Sequence, residues 1–198
     1  MQLGIISDIH ANLSALETAI HLLESHNVDQ IICAGDLVER GHDDDAVIQL
    51  IQDKGIDCVR GNHDDNAILK RNLAQESLHF LHNQPLKRHY ELGGVRILLA
   101  HGTPTSNTDA LFPLTMGIRF KKIAKSTKTD VIIVGHTHMP MRVKVRLENT
   151  YFFNAGSLYT GGKRGGSGTC AVLSLPDCDF RVYQLRDGEE VNVPLRKI

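Results

Sequence analysis

The chain has little of what marks a membrane protein, a disulfide scaffold or a general nucleic-acid binder. No stretch approaches the roughly 18 consecutive apolar residues of a membrane span. The first apolar run starts at Leu3, has no basic region before it and leads straight into Asp8. It reads as a strand and not as a signal peptide. Basic surplus is absent: 22 Lys and Arg face 23 Asp and Glu, for a formal charge of −1. With no basic or aromatic tract either, an extended nucleic-acid groove or a membrane surface is not expected as a partner. Cysteine is scarce. Cys33, Cys58, Cys170 and Cys178 form no Cys-x-x-Cys pair, and the first two fall in predicted buried strands. Reduced core thiols in a cytoplasmic protein are expected, not zinc thiolates. Repeats, low-complexity tracts and linkers are missing, so the 198 residues suit one domain over 1–198.

What the chain does have is five short apolar runs that each end on possible metal ligands. Leu3-Gly4-Ile5-Ile6 runs into Ser7-Asp8-Ile9-His10, and Ile31-Ile32-Cys33-Ala34 into Gly35-Asp36. Ile56-Asp57-Cys58-Val59 runs through Arg60 into Gly61-Asn62-His63-Asp64. Ile97-Leu98-Leu99-Ala100 ends on His101-Gly102, and Val131-Ile132-Ile133-Val134 on Gly135-His136-Thr137-His138. Such runs read as buried strands, and open α/β sheets bind ligands beyond the carboxyl ends of their strands. If the five share one sheet, Asp8, His10, Asp36, Asn62, His101, His136 and His138 gather on one rim, with His63 beside them.

The elements between these runs fit an α/β chain. Asn12 can cap a helix with an apolar face of Leu13, Leu16, Ile20 and Leu23. A second helix is expected around Asp43 to Lys54 and a less regular helical stretch from Asp65 to His82. Gly93-Gly94 predicts a hairpin turn between Lys87–Leu92 and Val95–Ala100. A basic helix follows around Ile118 to Lys125, then a hairpin of Met141–Leu147 with Thr150–Asn154. Thr169–Leu175 and Phe180–Leu185 are expected to end the sheet structure.

Asp8-x-His10 and His136-x-His138 each put two ligands on one side of an extended segment, where side chains alternate with period two. Gly35 allows a tight turn before Asp36, whose two oxygens could bridge two cations. Asn62 adds an uncharged oxygen. Oxygen and imidazole donors without thiolate suit Mn²⁺ foremost, with Fe, Zn²⁺, Co²⁺ or Ni²⁺ as alternatives. Two such ions roughly 3.5–4 Å apart are the standard device for hydrolysing phosphate esters.

The ordered set Asp-x-His, Gly-Asp, Gly-Asn-His-Asp, His-Gly, Gly-His-Thr-His resembles the calcineurin-like metallophosphoesterase superfamily over nearly the whole chain. The likeness is to its small bacterial and archaeal phosphodiesterases, including relatives of diadenosine tetraphosphatase. It implies a four-layer α/β/β/α sandwich of two mixed β-sheets flanked by helices. It also implies one ion on Asp8, His10, Asp36 and His138, a second on Asp36, Asn62, His101 and His136, and attack by a bridging water or hydroxide.

By the same resemblance His63 stabilises or protonates the leaving oxygen. Gly35-Asp36-Leu37-Val38-Glu39-Arg40-Gly41 is similar to the Gly-Asp-x-Val-Asp-Arg-Gly element of Ser/Thr phosphatases. It implies that Glu39 pairs with His63 and that Arg40 contacts phosphate. Asn12 contacts phosphate or caps its helix, and Asp64 orients neighbours or caps. Asn154-x-Gly156-Ser157 resembles a stretch near the metals, and Lys163 and Arg164 lie among glycines suited to an anion or to a solvated loop. The expected substrate is a small phosphodiester or nucleotide. The alternatives are a Ser/Thr-type protein phosphatase or a non-catalytic scaffold like the retromer subunit of this fold. The Thr103–Thr115 loop could serve as a lid or border an open cleft.

Overall fold

The computed structural model of the chain describes residues 1–70, 72–161 and 166–198; Lys163 and Arg164 lie outside them. The first part alternates strand and helix: β1 (Gln2–Ile6), α1 (Leu13–Ser25), β2 (Gln30–Cys33), α2 (Asp44–Asp53), β3 (Asp57–Cys58), α3 (Asn62–Lys70) and α4 (Gln75–Asn83). Then come β4 (Lys87–Leu92), β5 (Val95–Ala100), α5 (Gly117–Thr127), β6 (Val131–Val134), β7 (Met141–Val145) and β8 (Thr150–Asn154). The last elements are β9 (Thr169–Ser174), β10 (Asp179–Gln184), β11 (Glu190–Val191) and β12 (Leu195–Lys197).

The strands form two mixed six-stranded sheets, in the orders β11-β10-β9-β1-β2-β3 and β12-β7-β8-β6-β5-β4. β1, β2 and β3 pair in parallel, as do β5, β6 and β8. Alternation along each strand sends neighbouring side chains into different layers. Ile6 and Cys33 pack outward under α1 to α4, with Leu16, Leu23, Val47, Ile51 and Leu81. Ile5 and Ile32 point inward and meet Ile97, Leu99, Val131, Ile133 and Phe153 of the second sheet. Leu98, Ile132 and Phe152 face Phe120 and Ala124 of α5. Both faces of each central strand are buried, so the strands read as continuous apolar runs. The result is the four-layer α/β/β/α sandwich.

Three expectations need correction. The five ligand-bearing runs do not share one sheet: β1, β2 and β3 belong to the first, β5 and β6 to the second. The helical stretch from Asp65 to His82 is two helices, α3 and α4. The sheets also continue past Leu185, with β11 joining the first and β12 the second. These last strands are two and three residues long and largely exposed, too short to show a period. The Gly93-Gly94 hairpin forms as expected, with φ of 57° and 75°, the left-handed pair of a tight two-residue turn. Among the described residues no helix is long and apolar enough to cross a membrane.

Candidate metal centre

The centre lies where the carboxyl ends of β1, β2 and β3 meet those of β5 and β6. Asp8 and His10 have φ of 53° and 51°, His136 and His138 of 66° and 59°. These segments are therefore not extended, and the period-two argument for their convergence is wrong. The chain turns sharply past each strand end instead, and the turns are braced. Asp8 N–H donates to Gly35 O (2.9 Å), Ile9 and His10 N–H to Asp36 O (2.8 and 3.1 Å) and Ala11 N–H to Leu37 O (2.9 Å). Left-handed backbone at non-glycine residues costs roughly 1–3 kcal/mol each, and it persists only where the surroundings enforce it.

Close backbone approach sets the glycines. Gly35 has φ of 90°, and a Cβ there would lie 3.0 Å from His101 Nδ1. A Cβ on Gly61 would lie 2.1 Å from Asp36 Oδ1. Asp64 is fully buried and braces the Asp36 loop. Its carboxylate accepts from the N–H groups of Asp36 (3.0 Å), Leu37 (2.8 Å) and Val38 (3.2 Å). It also accepts from Gly61 N–H (2.8 Å) at the start of α3, so both readings of Asp64, orienting and capping, hold. Burial and the Asp36 charge push its pKa up to about 7 against these donors.

Three sets of acidic and imidazole groups have donor atoms within 4.8 Å of one another: Asp8, His10 and His138; Asp36, His101 and His136; and His10, Asp36 and His63. His138 Nε2 is 3.3 Å from Asp8 Oδ1 and 3.1 Å from His10 Nε2. His101 Nε2 is 3.2 Å from Asp36 Oδ2, and His10 Nε2 is 3.8 Å from the same oxygen. Donor atoms about 2.1 Å from one ion lie roughly 3.0–3.4 Å apart, so most of these spacings match edges of a coordination shell. Asp36 Oδ2 faces an imidazole from each sheet.

Polar accounting favours a cation. Asn62 Oδ1 is buried without a hydrogen-bond partner, at a cost of about 1–3 kcal/mol if left so, while buried Asp8 Oδ1 and His101 Nε2 face only His138 Nε2 (3.3 Å) and Asp36 Oδ2 (3.2 Å). Asn62 opens α3 directly before His63, whose N–H donates to Asp36 Oδ1 (2.9 Å). His101 Nδ1–H donates to Ala34 O (2.7 Å), turning Nε2 towards Asp36. Burial disfavours charge on His101, yet Asp36 and Asp8 outweigh it and raise its pKa to about 10. Burial likewise opposes ionisation of Asp36, but His101 and His10 hold its carboxyl well below the usual range. Burial lowers His10 to about 4 and also lowers His136, with the His101 charge adding to the latter.

His63 stands apart because both its nitrogens are engaged. Nδ1 meets Glu39 Oε2 at 2.5 Å, and Nε2 meets Arg40 Nη2 at 2.9 Å. Although it lies near His10 and Asp36, it has no free lone pair for a metal in this arrangement. Asn12 acts as a cap, its Oδ1 accepting from Ala15 N–H (3.1 Å). Asn154 braces the Gly135–Thr137 turn through Gly135 O (2.8 Å) and Thr137 Oγ1 (3.1 Å). Ser157 Oγ donates to Asp8 O (2.9 Å). The Asn-x-Gly-Ser stretch thus supports ligand-bearing turns from behind. The Thr103–Thr115 loop is tied to α3, since Asn107 Nδ2 donates to Asp65 Oδ2 (2.7 Å), and to α5 by the Asp109–Arg119 ion pair.

Sequence reasoning missed Ser7, whose Oγ donates to Asp8 Oδ2 (2.6 Å). It also missed Tyr159, whose ring edge packs on His10 with centroids 5.4 Å apart. Ser7 adjoins the candidate ligand Asp8, and Tyr159 follows Asn154-x-Gly156-Ser157 by two residues. Those positions were the only signals available.

The family model of the calcineurin-like phosphoesterase superfamily domain matches residues 1–177, and the chain belongs to that superfamily. An uncharacterized protein of Methanocaldococcus jannaschii is 25% identical over 99% of this chain and 91% of its own length. Among solved structures, a metallophosphoesterase from Sphaerobacter thermophilus superposes with a TM-score of 0.76 at 22% identity, covering 98% of this chain and 90% of that one. A novel archaeal phosphodiesterase gives 0.62 at 21% identity, covering 92% and 98%. Vps29 of Entamoeba histolytica, solved with zinc, gives 0.65 at 17% identity, covering 96% of each. These structural likenesses show a shared fold.

Proposed function

We propose that the chain is a two-metal phosphoesterase acting on a small phosphodiester or nucleotide. The carrying observation is the convergence of buried donor atoms from both sheets, with Asp8, His10 and His138 in one group, Asp36, His101 and His136 in another, and Asn62 Oδ1 buried without a hydrogen-bond partner. One ion would be held by Asp8, His10, Asp36 and His138, and the other by Asp36, Asn62, His101 and His136, with Mn²⁺ foremost. When bound, the pair supplies Lewis acidity to the phosphoryl oxygens and an acidified water.

The protein's own groups do the rest. Arg40 presents guanidinium donors suited to phosphoryl oxygens. Glu39 holds His63 Nδ1–H, which leaves Nε2 to deliver a proton to the departing oxygen. Arg40 offers only donors, so its present bond to His63 Nε2 is incompatible with a proton there. Substrate phosphate draws Arg40 off His63, Nε2 then takes up a proton from solvent, and the imidazolium so formed, paired with Glu39, donates that proton to the departing oxygen. The Glu39–His63–Arg40 chain also fits the protein-phosphatase alternative, so a phosphopeptide belongs in the substrate panel. The complete donor set and the engaged His63 favour an enzyme over the scaffold reading that the fold shared with Vps29 raises.

The test is metal removal. Prolonged chelation should abolish hydrolysis of an aryl phosphodiester, and Mn²⁺ should restore it. Full activity in protein shown metal-free by elemental analysis would overturn the proposal.

A further inference from the structure

Tyr159 lies beside the metal centre, with its backbone held at several points. Its N–H faces Asp8 O (3.2 Å) and Ser157 Oγ (3.0 Å). A Cβ on Gly166 would lie 1.2 Å from its carbonyl oxygen, and one on Gly161 2.7 Å from the phenol oxygen. Gly166 therefore packs on the Tyr159 carbonyl and Gly161 beside its phenol oxygen. One edge of the ring rests on His10, at an interplanar angle of 70°. Its face lies under the guanidinium of Arg40, with Cζ 6.0 Å from the ring centroid. Arg40 itself is exposed and carries a left-handed backbone, with φ of 68°. A long, exposed arginine loses side-chain entropy when a substrate orders it. An aromatic face carried on a braced backbone reduces that loss and attracts the cation.

We infer that Tyr159 is a positioning residue for Arg40: its ring face keeps the guanidinium beside the metal centre once Arg40 leaves His63, so that it meets the phosphoryl group. The inference rests on Arg40 as the phosphate contact proposed above. A guanidinium over a ring at this distance changes an equilibrium by about two- to fivefold at an exposed site, and by up to about thirtyfold when desolvated.

The test is a double-mutant cycle on Mn²⁺-loaded protein with an aryl phosphodiester. Tyr159→Leu and Tyr159→Met, two ringless variants of different shape, guard against a folding artefact. Each should raise KM by about fivefold, with a smaller change in kcat and unchanged metal content. Tyr159→Phe, which keeps the ring face, should restore KM. In an Arg40→Ala background the ringless changes should add nothing. The same KM rise in that background would leave Arg40 in place and overturn the role of Tyr159 alone. Loss of metal from the ringless variants would also overturn it, by tracing the effect to His10. An Arg40→Ala protein with unchanged KM would remove Arg40 from substrate binding, and this inference with it.

Discussion

The first sheet brings Asp8, His10, Asp36 and Asn62 to the centre; the second brings only imidazoles, His101, His136 and His138. The two contributions are held differently. On the first side, the 8–11 and 35–37 segments are laced together by backbone hydrogen bonds, and buried Asp64 pins the second of them from behind. On the other side, Gly135 N–H donates to His101 O (2.7 Å), and Asn154 holds the turn that follows. The halves meet through several side chains, among them His136 N–H on Asp8 Oδ2 (3.0 Å), His138 Nε2 beside Asp8 Oδ1 (3.3 Å) and His10 Nε2 (3.1 Å), His101 Nδ1–H on Ala34 O, and His101 facing Asp36. The first sheet supplies every oxygen donor and His10, and the second supplies three further imidazoles, so each proposed ion would draw its donors from both sheets. The centre is a product of the sheet packing. His63, Glu39 and Arg40 belong wholly to the first side, so the proposed proton chemistry would be separate from the seam.

That separation is open to a direct break. His63→Ala should leave both ions bound and slow turnover by roughly 10²–10⁴-fold, the usual range for a lost general acid. The loss should be greatest for poor alkoxide leaving groups and should shrink for nitrophenolate, which departs without a proton. An equal loss across leaving groups would favour charge stabilisation over acid catalysis. A variant that loses an ion would place His63 in the coordination shell.

Asp36 tests the seam itself, because its Oδ2 faces His10 of its own half and His101 of the other. Asp36→Asn should reduce activity and metal affinity together, by on the order of 100-fold, since an amide bridges cations poorly. The amide oxygen can still accept from His63 N–H, so the turn should survive, and circular dichroism should match the parent. Normal turnover with normal metal content would show that Asp36 does not bridge.

Much of this was legible before any coordinates, for a definable reason. Strands buried on both faces stand out as apolar runs, and polar residues abruptly ending such runs must lie at sheet rims. That logic found Asp8, Asp36, His101 and His136 whichever sheet each strand joined. It could not divide the strands between two sheets, because Ile5 and Ile97 look alike whether they pair or pack face to face. It also misjudged local geometry. Asp8 and His10 converge through left-handed turns, and nothing in Asp-Ile-His announces positive φ. Glu39 was expected to pair with His63 only through the motif, and it does reach. Tyr159 carries no pattern of its own, since its role comes from a neighbour 119 positions away along the sequence.

The smallest expected effect reads the seam through protons. In the metal-free protein His101 titrates near 10, against about 6.5 when unfolded. Its folded pKa is raised, so the stability it contributes is fully present below about pH 6.5 and is lost as pH rises through about 10. A metal ion on Nε2 would take the place of that proton. Loading the metal-free protein should therefore release about one proton from His101 near neutral pH, and apparent affinity should rise about tenfold per pH unit. His10, lowered to about 4, and His136, also lowered, are already neutral there and release none. Mn²⁺ titrations between pH 7 and 9, in buffers of different ionisation enthalpy, measure both quantities. The melting temperature of the chelated protein should fall across the same window, while that of the loaded protein should not fall for this reason. Affinity independent of pH, with no proton released, would mean that His101 is not displaced from Asp36 by metal. The second sheet would then contribute no more than His136 and His138 to the centre.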